Sequence, residues 1–214
     1  MRVRIYPRTV ELSEVIRRRR MVRNYDPDRP VPAELVDRLL GYAVHAPSAG
    51  FSQGWEFLLI DTPADVARFW AVTSPEDGVP TAWLEGMTRA PVIVVPHSHR
   101  DAYLDRYAQP DKGWTDRDEA RWPVPYWHID TGMASLLILL GAVDEGLGSC
   151  FFGITPDRIP AYRAEFGVPE QYTPIGAMTI GYRAQDTKSP SLKRGRRESQ
   201  TVTHRGNWGV SVDS

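Results

Sequence analysis

Residues 127–145 restrict the possible folds of this chain more than any other stretch. Ile129, Met133, Leu136, Leu137, Ile138, Leu139, Leu140 and Val143 place apolar side chains nearly all round the helix that this run predicts. Such a helix is stable only when enclosed, in a core or against a second subunit. Gly146 follows and can supply the left-handed residue that closes it. The remaining sequence offers layers to surround it. The β-branched run 90–95 predicts a buried central strand, with further strands over 56–60, 149–152 and 173–181. Helices are predicted over 32–46, where Leu35, Val36, Leu39, Leu40 and Ala43 form one stripe, and over 63–72, with Val66, Phe69 and Trp70 inward. Shorter ones are predicted over 82–89, 156–166 and 14–20, the last with Ser13 placed to cap it. Helices and strands mix without strict βαβ alternation, and there is no internal repeat or linker-like break. The expectation is one α+β domain over 1–214.

Charge narrows the function. Lys plus Arg number 26 against 27 Asp plus Glu, a balance that argues against a general nucleic-acid binder. The positive charge is nonetheless clustered over 17–23 and 193–197, which suggests a local anion site. Cys150 is the only cysteine, so no internal disulfide forms, and its neighbours Leu147, Phe151 and Phe152 make it a small buried hydrophobe. The first nine residues lack a signal-type apolar core, and no run of about 20 uncharged apolar residues occurs. A cytoplasmic protein without membrane partners is expected.

Two segments stand apart. Residues 97–125 are rich in Asp and Arg and carry Tyr103, Tyr107, Trp114 and Trp122. Long irregular segments are commonly lids; these aromatics either cover a flat ligand or merely pin the loop down. The tail from about 185 is polar and expected to run extended over a surface.

The usual catalytic signatures are missing. His97 and His99 would share one face of a strand end, but no further ligand lies at zinc spacing, so no metal site is expected. No Walker pattern, no G-x-S-x-G elbow and no G-x-G-x-x-G after the first strand is present. A chain without an evident acid, base or metal can leave its chemistry to a cofactor. A candidate cradle is 46–55, where Pro47 ends the preceding helix, Gly50 and Gly54 permit close backbone approach, and Ser48, Ser52 and Gln53 bring polar groups. The same pattern also serves as a plain helix-to-strand turn.

Several ordered motifs together resemble the FMN-dependent nitroreductase family. They are Arg19–Arg20–Met21–Val22–Arg23 with Tyr25, Ala46–Pro47–Ser48 through Gln53–Gly54–Trp55, Asp130–Thr131–Gly132, Glu145–Gly146–Leu147–Gly148–Ser149–Cys150, Pro174 to Gly181, Arg194–Gly195–Arg196, and Thr203–His204–Arg205–Gly206–Asn207–Trp208. The family writes the first two as R-R-S-x-R and A-P-S-x-x-N-x-Q-P-W. The similarity runs from about residue 12 to 209, apart from the insertion at about 97–125.

The resemblance implies a three-layer α+β fold, with a central, mainly antiparallel sheet flanked by helices, and an intertwined homodimer with FMN at the interface. By that carry-over the cofactor-binding residues are Arg19, Arg20, Met21, Arg23, Pro47, Ser48, Ala49, Phe51, Gln53, Phe152, Gly153, Arg194 and Arg196. Arg19, Arg194 and Arg196 match the phosphate-binding positions, in keeping with guanidinium chemistry. Arg23 matches the residue at the flavin's pyrimidine edge, and Ser48 and Gln53 match polar contacts supplied by the partner subunit. Phe152 and Gly153, the expected catalytic pair, match the segment whose backbone N–H points at flavin N5 and orients it for hydride transfer.

Three positions depart from the family pattern: Met21 for Ser, Phe51 for Asn and Gly54 for Pro. The G-F-x-Q context is similar to the branch that includes flavin-fragmenting dimethylbenzimidazole synthases. That branch has an Asp at the place of Met21 and a Ser at Gly153, so fragmentation is not expected here. The resemblance implies a ping-pong oxidoreductase passing electrons from NADH or NADPH to a small-molecule acceptor such as a nitroaromatic or quinone. Two alternatives stand beside it: an FMN carrier without efficient turnover, and a dimeric interaction protein without flavin.

Overall fold

In a computed structural model of the chain, the structure describes residues 11–74, 81–185 and 190–210. The elements in chain order are α1 (Leu12–Arg18), α2 (Ala33–Ala43), β1 (Trp55–Ile60), α3 (Pro63–Thr73), α4 (Ala82–Met87), β2 (Val92–His99), α5 (Arg100–Tyr107), α6 (Tyr126–Asp144), β3 (Gly148–Phe152), α7 (Ile159–Phe166), β4 (Tyr172–Pro174) and β5 (Ala177–Gly181). The sheet has the order β1-β2-β5-β3, and β4 adds to the end of β2. Every ladder is antiparallel; an isolated bridge between Met21 and Ser149 is parallel.

The continuous apolar run in β2 is explained by burial on both faces. Val92 and Val94 pack with α2 and α6 through Val36, Leu39, Ala134 and Ile138. Ile93 and Val95 point the other way, to Val66, Phe69 and Trp70 of α3 and Tyr162 of α7. Two helical layers thus enclose one sheet, and Cys150 of β3 is buried against the second of them. The α2–α6 contact is close because residue 141 is glycine. A Cβ there would stand 2.5 Å from the Tyr42 ring and 2.9 Å from Leu39. Arg38 of α2 also pairs with Glu145 at the end of α6, at 2.6 Å, and Gly146 closes that helix at φ 74°.

Helix α6 is only partly enclosed by its own chain. Asp130, Ala134, Ile138 and Ala142 are buried, whereas Ile129 and Leu136 remain 44% and 46% exposed. By length and composition alone the helix could cross a bilayer, but half of its apolar window is buried inside this fold.

Several sequence expectations need correction. Glu11, not Ser13, precedes α1, and among the described residues no side chain caps that helix. The 173–181 strand is two strands, broken at Gly176, whose φ of 154° and contact with the Phe151 ring leave no room for a Cβ. The 97–125 segment is not irregular: its first residues finish β2, and α5 and a 3-10 turn over Glu119–Arg121 follow. Its aromatics pack against one another. Tyr107, Trp114 and Trp122 lie within 5.5 Å of each other by ring centroids, and Trp122 also abuts Tyr103 and Trp127. The tail forms short 3-10 turns at Pro190–Arg194 and Ser199–Val202. Every residue over 191–210 is exposed.

Candidate functional site

Three stretches carry the expected site residues. The first follows α1, where the chain leaves the helix extended at Arg19. Val22 N–H donates to the Ser149 carbonyl at 2.9 Å, and Met21 Sδ accepts from Phe151 N–H at 3.3 Å. The buried Tyr25 anchors the far end, its hydroxyl 2.7 Å from the Val22 carbonyl and 2.9 Å from Thr179 Oγ1. Arg19, Arg20, Met21 and Arg23 are therefore strung beside β3, with Arg23 Nη1 donating to the Met21 carbonyl. Arg18, Arg20 and Arg183 line a niche with Gly146–Ser149, and among the described residues no carboxylate lines it. That setting favours an anion.

The second stretch is the end of β3. Gly153 is exposed, and nothing lies within 4 Å of the place a Cβ would occupy. It forms the lip of a cavity of about 510 Å³ walled by Trp70, Trp83, Leu84, Phe152 and Ile154, with Thr155, Asp157 and Arg158 at its polar end. Trp70 and Phe152 are stacked, with 9° between planes and 5.5 Å between centroids, and Trp83 stands edge-on to both. At the polar end Arg158 pairs with Asp157 at 3.3 Å. The Thr155 hydroxyl, more than this guanidinium, holds the Asp157 carboxyl below the usual range.

The third stretch is the 46–55 loop. Gly50, Phe51 and Gln53 all have left-handed backbones, at φ 60°, 56° and 51°. Ser48 Oγ accepts from Gln53 N–H at 2.8 Å. Asp130, 1% exposed, accepts from Ala49 N–H and from the Tyr103 hydroxyl, each at 2.8 Å. Burial, together with Asp130, holds the Tyr103 phenol protonated far above its ordinary range, against the lowering effect of Ser48. Phe51 stays 73% exposed, and Pro47 precedes this turn on its exposed side.

These stretches do not all meet within one chain. The loop leads into β1 and Gly153 ends β3, the two opposite edges of the sheet, with β2 and β5 between them. At normal strand spacing that is about 14 Å. The arginine stretch lies with β3. Arg194 and Arg196 lie on the exposed tail. Sequence reasoning missed Tyr103 and Arg106 as partners of the loop; Asp130 appeared only as a motif letter. Trp70 and Trp83 carried no signal as cavity walls, since inward aromatics on helices ordinarily read as core.

The sequence profile of the nitroreductase family matches residues 16–182. The chain belongs to the nitroreductase family. A Methanothermobacter thermautotrophicus protein carrying the provisional name NADH dehydrogenase/NAD(P)H nitroreductase is 29% identical over 186 residues, 86% of this chain and 83% of that protein. A 5,6-dimethylbenzimidazole synthase of Rhodobacter capsulatus is 32% identical over 103 residues, 42% of this chain and 50% of that enzyme. A provisionally named nitroreductase of Desulfovibrio desulfuricans, solved in complex with FMN, superposes with a TM-score of 0.66 at 22% identity, over 90% of this chain and 94% of that one. The three-layer nitroreductase fold is thus common to this chain and its neighbours, with an almost wholly antiparallel sheet.

Proposed function

We propose that the chain is an FMN-dependent oxidoreductase that works as a homodimer. The observation that carries the proposal is the open approach to the Gly153 backbone at the lip of the aromatic-walled cavity, beside the arginine stretch. The residues present fit the cofactor: Gly153 is exposed, with open space where a side chain would stand, and the arginines beside β3 suit a phosphate. Bound FMN would supply two-electron redox chemistry between NADH or NADPH and a flat acceptor such as a nitroaromatic or quinone. Arg19, Arg20, Arg194 and Arg196 would hold the phosphate. Arg23 would face the pyrimidine edge, and Gly153 with Phe152 would orient the N5 edge. Met21 offers a thioether already engaged by the Phe151 amide, so no carboxylate acts at that position.

The homodimer reading is supported by the separation of the half-sites and by uncovered apolar surface. Leu12, Ile16 and Leu136 are exposed on α1 and α6, beside a groove lined by Val15, Tyr42, Leu137 and Leu140. A second copy would bring its Ser48–Gln53 loop to the first copy's Gly153. The test is anaerobic stopped-flow mixing of the flavin-loaded protein with NADH and with NADPH, followed by steady-state kinetics with a quinone. Rapid bleaching of the flavin and parallel double-reciprocal lines are expected. A flavin that stays oxidised for minutes would instead identify a carrier, and intersecting lines would exclude ping-pong order.

A further inference from the structure

We propose that α5 and the start of α6 form a brace that fixes the 48–53 loop for the cofactor, with Asp130, Tyr103 and Arg106 as positioning residues. The cofactor role of the loop rests on the function proposed above; the brace itself rests on the contacts that follow. Left-handed backbones at Gly50, Phe51 and Gln53 within four residues make a shape that an isolated turn does not keep, because L side chains disfavour it. Phe51 is exposed, so its own packing does not hold it there.

The restraint comes from α5 and α6. One oxygen of Asp130, Oδ2, takes both the Ala49 N–H and the Tyr103 hydroxyl. Tyr103 also reaches the Ser48 hydroxyl at 3.4 Å, and Ser48 in turn holds Gln53. Arg106 Nε donates to the Gly50 carbonyl at 2.8 Å, while its two terminal nitrogens are fixed by both oxygens of Asp111 at 2.8 and 2.7 Å. The rings close the remaining space: a Cβ on Gly50 would stand 2.6 Å from Tyr107, and one on Gly54 2.5 Å from Tyr103. Asp130 is a buried carboxylate whose described partners are neutral donors, an arrangement whose use is acceptor geometry and not an ion pair.

Hydrogen exchange on the full-length protein, first stripped of flavin and then reloaded with FMN, tests the brace. In the flavin-free state, Tyr103→Phe and Arg106→Met are expected to speed exchange of the amides over 49–53 by about threefold to tenfold, the worth of one hydrogen bond. Asp130→Ala should do more, and Asp130→Asn, which keeps an acceptor oxygen, should recover part. Amides of the β2–β5 ladder should keep their wild-type rates, which separates a loosened loop from a loosened fold. The dissociation constant for FMN, read by flavin fluorescence, should rise in parallel. Should Asp130→Ala not fold, Tyr103→Phe and Arg106→Met still decide, since they remove only a hydroxyl and a fork. Unchanged exchange over 49–53 in folded variants overturns the brace. Faster exchange with unaltered FMN affinity upholds the brace and refutes the cofactor role of the loop.

Discussion

Phe51 is an aromatic side chain, 73% exposed, on a backbone at φ 56°, a conformation that penalises every residue with a Cβ. Such strain persists where something else fixes it. Replacing Phe51 by Gly should raise the stability of the flavin-free chain by about 0.5–1 kcal/mol, the relief of the left-handed penalty less the entropy of Gly. The urea midpoint measures this. The same change should weaken FMN binding if the ring faces the cofactor.

His97 makes a second prediction at this scale. It is 3% exposed, stacked on Tyr162 with its Nε2 3.0 Å from the phenol oxygen, and burial lowers its pKa to about 4. The unfolded chain therefore binds the extra proton first. Stability should be full above about pH 6.5 and fall as the pH drops toward 4, by on the order of 3 kcal/mol in all. Denaturation series at several pH values should show this slope, and His97→Gln should flatten it. Neither residue's condition was legible beforehand. Phe51 was recognisable as a motif position but not as a strained one, and the Tyr162 that encloses His97 lies 65 positions away.

At the scale of elements, sequence pattern succeeded where burial is periodic and failed where it is not. Residues 127–145 and 90–95 announce α6 and β2 because their apolar content can be satisfied in few ways. Helix α5 has no such stripe: only Tyr103 and Leu104 are buried in it, and its Asp and Arg residues read as loop. The 173–181 run reads as one strand because nothing local shows that Ile175 N–H turns to the Pro96 carbonyl. The α2–α6 contact gives the test at this scale. Gly141→Ala drives a methyl into Tyr42 and Leu39, and overpacking of this kind should cost about 1–3 kcal/mol. Thermal unfolding monitored by circular dichroism reads the loss; an unchanged melting temperature would mean that α2 yields freely.

For the molecule as a whole, the order β1-β2-β5-β3 matters most for function. The sheet sends the 46–55 loop and Gly153 to opposite edges. No local pattern encodes that separation, because strand order depends on long-range pairing. Complementation can check the shared-site reading. A chain carrying Gln53→Ala and one carrying Arg23→Ala should each lose most FMN binding as homodimers. Unfolding and refolding the two together should restore one intact site per mixed dimer, measured as bound flavin. No recovery would place both halves of a site in the same chain. In parallel, Leu136→Glu on the exposed face of α6 should give a monomer by analytical ultracentrifugation, with flavin lost alongside.

The close approach of the Tyr103 ring to residue 54 also orders the routes by which this molecule can be altered. Any side chain at 54 collides with that ring and with the His99 carbonyl, so a smaller residue at 103 would relieve only one of the two clashes that the family's proline meets there. Losing the ring, however, surrenders the hydroxyl shared with Asp130 and Ser48. Glycine at 54 is therefore fixed by backbone as well as by the ring, and a library that varies 54 is expected to find losses whatever stands at 103.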